Sequence, residues 1–205
     1  MGELVNRGES TIVPEGFYKQ VSSILNAARD KAYTAVNFAM VEAYWEIGKS
    51  IVEEQGGEER ARYGEALLKG LATRLTTDFG KGFDTSNLRY MRQFYLAFPI
   101  RDALRHELNW THYRRLSRIP DPEARIWYMN ECADSRWSTR QLERQINTMF
   151  RERLLASKDK ETVAQEIQKS VPVHRPEDII RDPYVLEFLG FSDDTAFRES
   201  DLEQA

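Results

Sequence analysis

Cysteine is almost missing from this sequence: Cys132 is the single one in 205 residues, so no internal disulfide can hold the fold. No apolar run approaches the roughly 20 residues of a membrane-spanning helix. Met1 is followed by a polar stretch in place of a basic and then apolar leader, which excludes the usual secretory signal. These absences set the expectation of a soluble chain in the reducing cytoplasm, with no membrane partner. Histidine is equally sparse, and His106, His112 and His174 stand apart from any second ligand at metal-binding spacing. Gly80-Lys81-Gly82 lacks the Lys-Ser or Lys-Thr ending of a phosphate-binding loop, so it reads as a turn. Cys132 has no neighbouring base and reads as a small interior residue. No catalytic constellation, cofactor site or small-molecule pocket can be assembled from what remains.

What the chain does have is an uneven charge. The formal net charge of −4 argues at first sight against a nucleic-acid partner. Yet Arg60 to Leu155 holds 18 Lys and Arg against 11 Asp and Glu, a net +7, while the rest carries −11. Sixteen of those 18 cations are arginine, whose planar fork suits phosphate and guanine. A basic middle between acidic ends is a candidate electrostatic footprint for DNA.

Patterning places this footprint on helices. Residues 1–14 lack periodicity and read as a mobile N-terminus. From Glu15 to about Gln55 there is no proline, and apolar residues recur from Val21 through Leu25, Ala28, Ala32, Ala35, Ala39 and Ala43 to Ile47 and Ile51. This spacing predicts one long helix or two abutting ones, ended by Gly56-Gly57. Many of its inward positions are expected to be alanine, and its excess length suits pairing with another copy of the chain. Tyr33, Asn37, Tyr44 and Trp45 fit packing in a core or dimer better than a ligand face. Within 58–98, a helix through Leu67, Leu71 and Leu75 breaks at Gly80 and restarts at the N-cap Asp84, with Leu88, Met91, Tyr95 and Phe98 as its buried stripe.

The block 99–155 repeats the arrangement. Asn109 caps a helix over Trp110 to Arg118, and Asp121-Pro122-Glu123 opens another that runs to about Asp134. Ser138 and Gln141 spell a capping box flanked by Trp137 and Leu142 as staple, with Leu142, Ile146, Met149 and Phe150 inward. The fold class is therefore all-α: a long N-terminal helix (15–57), two helix–turn–helix-like units and a C-terminal helical linker (156–205). Val171 to Pro176 reads as an extended hinge. The apolar Tyr184, Leu186, Phe188 and Leu189 that follow find no covering partner in the sequence, as at the truncated start of a further domain.

The outer faces of the two units supply candidate DNA contacts: Lys81, Ser86, Arg89, Arg92 and Gln93 from the first, and Arg114, Arg115, Arg140, Gln141 and Arg144 from the second. Backbone contact is the expected mode for most, since such contacts form half to two-thirds of protein–DNA hydrogen bonds. His112 in the first turn of its helix is within reach of a phosphate but fits packing better. Trp110 and Trp137 fit anchoring of helix caps better than stacking on bases.

Six ordered motifs also carry a resemblance. Trp45 to Glu53 (WEIGKSIVE), Arg60 to Gly64 (RARYG), Phe79 to Phe83 (FGKGF), Asn87 to Tyr95 (NLRYMRQFY), Leu108 to Tyr113 (LNWTHY) and Trp137 to Ile146 (WSTRQLERQI) resemble the N-terminal domain of YhcG-like proteins of the PD-(D/E)XK nuclease superfamily. The likeness covers about Phe17 to Leu155 and reaches Asp182-Pro183-Tyr184. It implies a DNA-binding role for this part and a nuclease domain beyond it. Leu108 to Ile146 is also similar, over that block alone, to the helix–turn–helix region of ParB-type partition proteins. A PD-(D/E)XK site uses carboxylates to hold Mg²⁺ and an Asp/Glu-x-Lys pair, and no Asp-x-Lys or Glu-x-Lys occurs in this chain. The resemblance thus implies a non-catalytic DNA-binding module, with Mg²⁺ expected only for the absent nuclease domain. The alternative is a self-association or protein-interaction domain.

Overall fold

The computed structural model describes residues 13–55, 61–157 and 183–189, and every regular element among them is helical. α1 (Glu15–Glu54) is a single helix of 40 residues, about 60 Å long at 1.5 Å per residue. Only its C-terminal half enters the core, through Asn37, Met40, Val41, Tyr44, Trp45, Gly48 and Ile51. Ala28, Ala32, Ala35 and Ala39, expected inward, are exposed. The helix carries two apolar stripes on different sides, and the periodicity merged them into one.

α2 (Ala61–Phe79) ends at Gly80, whose φ of 94° needs a residue without Cβ. A 3₁₀ turn, Lys81–Phe83, leads into α3 (Thr85–Ala97). Asp84 caps α3 as expected, its carboxylate accepting from the Asn87 N–H at 2.8 Å. The buried stripe of α3 is Leu88, Met91, Phe94 and Phe98. Tyr95, assigned to it from spacing, sits half-buried at the side, edge-on to Trp45 with ring centroids 5.1 Å apart.

α1 and α3 form the central pair, and they cross where Gly48 faces Met91. A side chain on Gly48 would collide with the Met91 carbonyl oxygen, and its Cβ would lie 2.7 Å from the carbonyl carbon and 3.1 Å from Tyr95 Cβ. The absence of a Cβ is what allows the two backbones to touch. Below this contact Trp110, fully buried, packs edge-on to Tyr44 and Phe94, with centroids 4.9 and 5.6 Å away. Its indole N–H donates to Asn87 Oδ1 (3.1 Å), and Asn87 Nδ2 donates to the Gly82 carbonyl (2.6 Å). One buried amide thereby joins the 3₁₀ turn, α3 and the next helix while leaving neither of its ends unpaired. Asn37 and Trp45 are likewise core anchors, donating to the carbonyls of Leu108 (3.1 Å) and Phe98 (2.6 Å).

After a second 3₁₀ turn, Arg101–Ala103, come α4 (Trp110–Leu116), α5 (Pro122–Asp134), α6 (Thr139–Asn147) and α7 (Phe150–Ala156). Asn109 and His112 cap α4 reciprocally: the Asn109 carboxamide accepts from the His112 N–H, and His112 Nδ1 accepts from the Asn109 N–H. Since Nδ1 accepts, Nε2 carries the proton and donates to the Trp137 carbonyl at 2.9 Å. His112 is therefore a packing residue, tying α4 to the start of α6. The capping box of α6 is present as read, with Ser138 N–H to Gln141 Oε1 at 2.7 Å and Gln141 N–H to Ser138 Oγ at 3.2 Å. Met149, by contrast, is exposed. The chain turns there with a left-handed φ of 48°, ending α6 and starting α7.

α8 (Pro183–Phe188) corrects a further expectation. Val185 is buried, and Phe188 meets Tyr44 edge-on at 6.1 Å. This apolar piece docks on the body, because the packed end of α1 and the 3₁₀ turn leave an aromatic surface open beside it. The hinge 171–176 and most of the linker lie outside the described residues.

Replacing Gly48 by alanine should lower stability by about 1–3 kcal/mol, as overpacking does, read as a lower urea midpoint. Gly70, with nothing within 4 Å of a Cβ, should tolerate alanine with a gain of roughly 0.5–1 kcal/mol; equal effects at the two sites would contradict the close approach. Burial, with the Glu131 charge adding to it, pushes the Cys132 thiol up to about 12. At about pH 8 it stays protonated and enclosed, so a thiol reagent should label it no faster than the chain unfolds. Labelling of the native protein at a free-thiol rate would overturn that placement.

Candidate nucleic-acid interface

α4 lies between α3 and α6, and its arginines reach both neighbours. Arg114 stacks on the Tyr90 ring of α3, its guanidinium carbon 4.1 Å from the centroid, and its Nη1 donates to the Tyr184 hydroxyl of α8. Arg118, four residues on, donates to the Tyr90 hydroxyl at 3.0 Å and lies 5.4 Å from the same ring. Such stacking of arginine on aromatic faces holds the cation in place without neutralising it. The guanidiniums of Arg114 and Arg118 hold the Tyr90 phenol below its ordinary range. Next along α3, exposed Arg89 pairs with Glu65 of α2 at 3.2 Å. Because both partners are exposed, this pair is weak and open to exchange.

Arg115 reaches the other way, pairing with Glu143 of α6. Its Nε is buried without a hydrogen-bond partner among the described residues, and so is the Nε of half-buried Arg92. Arg140 and Arg144 on α6, with Lys81 and Ser86 at the start of the α3 unit, are exposed. The amides of Gln93 and Gln141 are committed to the fold. Gln93 donates to the Ser117 carbonyl at 3.0 Å, pinning α3 to the end of α4, and Gln141 closes the α6 cap.

The expected residues therefore separate into two groups. Arg114 forms one cluster with Arg118 on Tyr90 between α3 and α4, Arg89 turning instead to Glu65 of α2, and Arg140 and Arg144 form a second on α6, with the Arg115–Glu143 pair between helices α4 and α6. Tyr90 and Arg118 belong to the first cluster and were not singled out from sequence. The only signal for them was the four-residue spacing of Arg114 and Arg118 near the end of α4.

Other arginines counted in the basic middle are structural. Arg125 donates to the carbonyls of Ala97 (2.8 Å), Ile119 (2.8 and 3.0 Å) and Pro120 (3.2 Å), clamping two connectors. Arg105 joins Glu107 (3.2 Å) to Asp134 (2.6 Å), and Arg151 meets Asp121 (3.5 Å) and Glu123 (3.6 Å). Among the described residues no three His, Cys, Asp or Glu side chains converge as a metal site. No described helix is long and apolar enough to cross a membrane.

Comparison with known proteins agrees with the motifs. The chain is 38% identical over 215 residues to a protein of Escherichia coli (strain K12) named "Putative nuclease YhcG", covering 89% of this chain and 57% of that relative. It thus spans little more than half the relative's length. No solved structure matches. Residues 20–153, which include both arginine clusters, all of α3 and α1 from its second turn on, match the model of the DUF1016 N-terminal domain, and the chain belongs to that family.

Proposed function

We propose that this chain is a non-catalytic DNA-binding module that places a nuclease domain on its substrate. The observation that carries the reading is the arginine cluster on α3 and α4, in which Arg114 and Arg118 are held on Tyr90 by stacking. Carboxylates neutralise Arg105 and Arg151 elsewhere; the Tyr90 cluster keeps its positive charge for an outside anion. Arg140 and Arg144 extend the surface on α6, where neither makes an ion pair among the described residues. Phosphates are the matching anion: guanidiniums bind them through paired N–H groups, and exposed Lys81 and Ser86 add further donors. Arg89 joins them by exchanging Glu65 for a phosphate. On this reading the module has no chemistry of its own, acts in the cytoplasm where the DNA is, and leaves Mg²⁺ to the nuclease domain. The finding of a relative named as a nuclease supports the association, and the lack of any Asp/Glu-x-Lys pair in the chain supports the division of labour.

Fluorescence anisotropy with a labelled random duplex tests this. Affinity should fall steeply with salt, the log–log slope being about −0.9 per phosphate neutralised. An Arg89→Ala, Arg118→Ala, Arg140→Ala, Arg144→Ala variant should bind at least about 10-fold more weakly and lose about one unit of slope for each phosphate contact removed. Its thermal melt should stay close to wild type. Equal binding by both proteins, or none by either at low salt, would remove DNA from these helices.

A further inference from the structure

The two apolar stripes of α1 point in different directions. The buried side, through Met40, Tyr44, Gly48 and Ile51, enters the body. Phe17, Tyr18, Val21, Ile24 and Leu25 lie about 150° around the helix from it, at 3.6 residues per turn. All five are exposed, Phe17 at 60% and Ile24 at 62%. A helix segment of this length standing in water without packing is marginal, so a covered apolar face is what the arm requires.

The same stripe continues towards the C-terminus of α1. It passes over the exposed small residues Ala28, Ala32, Ala35 and Ala39 and arrives at Glu46 and Ser50, on the lip of a groove of about 1030 Å³ that α1, α2 and the end of α8 line, with Ile47 inside it. The groove is walled by Ile47, Leu67, Leu71, Leu75 and Phe79 and rimmed by Glu46, Glu54 and Asp78. Among the described residues, one helix thus carries an apolar arm and an apolar groove that nothing covers, separated by alanines.

We propose that a second copy of this chain fills the groove: two α1 helices pair antiparallel, crossing at Ala32–Ala35, and each arm seats in the other's groove. Two observations select this partner. Val21 and Ile47 each lie about 20 Å from the alanine segment, on opposite sides of it, at 1.5 Å per residue; a two-fold axis there superposes arm on groove twice. Such an interface is self-complementary, as a two-fold pair requires. Finally, the five large side chains expose on the order of 500 Å² per arm. Two arm–groove contacts, with the smaller area of the groove wall added to that of the arm, then bury on the order of 1,500 Å² in all, the size of a specific interface. The alanines let the helices approach closely at the crossing.

The pairing does not depend on DNA binding and is tested without DNA, on the 205-residue chain. Sedimentation equilibrium should show a dimer, and an Ile24→Asp, Leu25→Asp variant should be monomeric, its dimerisation weakened at least about 100-fold. Both side chains are exposed, so the thermal melt of the core should hardly move. Orientation is read by mixing a Val21→Cys chain with an Ile47→Cys chain under a mild copper oxidant. The mixture should form 21–47 cross-linked pairs faster than either chain forms pairs with itself. A wild-type chain that stays monomeric to about 100 μM, where even a micromolar pair would form, overturns the proposal. So does a dimer that survives the aspartates, or cross-linking of Val21→Cys to itself in preference to Ile47→Cys.

Discussion

α1 and α3 meet backbone to backbone at Gly48 and Met91, and the remaining helices are arranged around that contact. A crossing this tight brings the buried stripe of α3 directly against Tyr44 and Trp45, and opens on one flank a space that Trp110 of α4 fills. Once Trp110 is seated, its indole bond to Asn87 fixes α4 relative to α3. His112 then carries the connection on to Trp137 and α6. Each link is short, buried and directional, so an error of an ångström at Gly48 would be passed along all of them.

The outer surface inherits its arrangement from this inner one. Because Trp110 and Tyr113 bury one side of α4, Arg114 and Arg118 face Tyr90 on α3 while Arg115 faces Glu143 on α6. The chain's abundance of arginine serves two physical ends. Arg125 satisfies connector carbonyls that no helix could pair, which a lysine, lacking the planar fork, would do less well. The arginines on Tyr90 have a ring face as their neighbour in place of a carboxylate. A count of basic residues adds both kinds together, so the net +7 of the middle segment overstates the charge available to a partner.

α1 links two surfaces of different character. One half is locked into the body that carries the arginines, and the other projects as an arm with an apolar face. Pairing of arms, as proposed, would set two arginine surfaces at a fixed separation, with the rigid helix as the spacer.

Local features were legible in the sequence because their physics is local. The caps at Asp84, Asn109, Asp121 and Ser138, the break at Gly80 and the all-α class follow from hydrogen bonding and backbone freedom within four residues of each site. The tryptophans at the caps were read as anchors for the same reason, and they are. What needed the third dimension was the direction in which each face points. Spacing alone could not separate the two stripes of α1, choose Phe94 over Tyr95, or find that Tyr90 and Arg118 would meet across 28 residues of chain. Nor could it tell a clamping arginine from a surface one, since the two kinds differ only in which distant carbonyl, carboxylate or ring the fold brings alongside. Sequence determined the helices and their ends; the crossing at Gly48 decided which side of each helix remains for a partner.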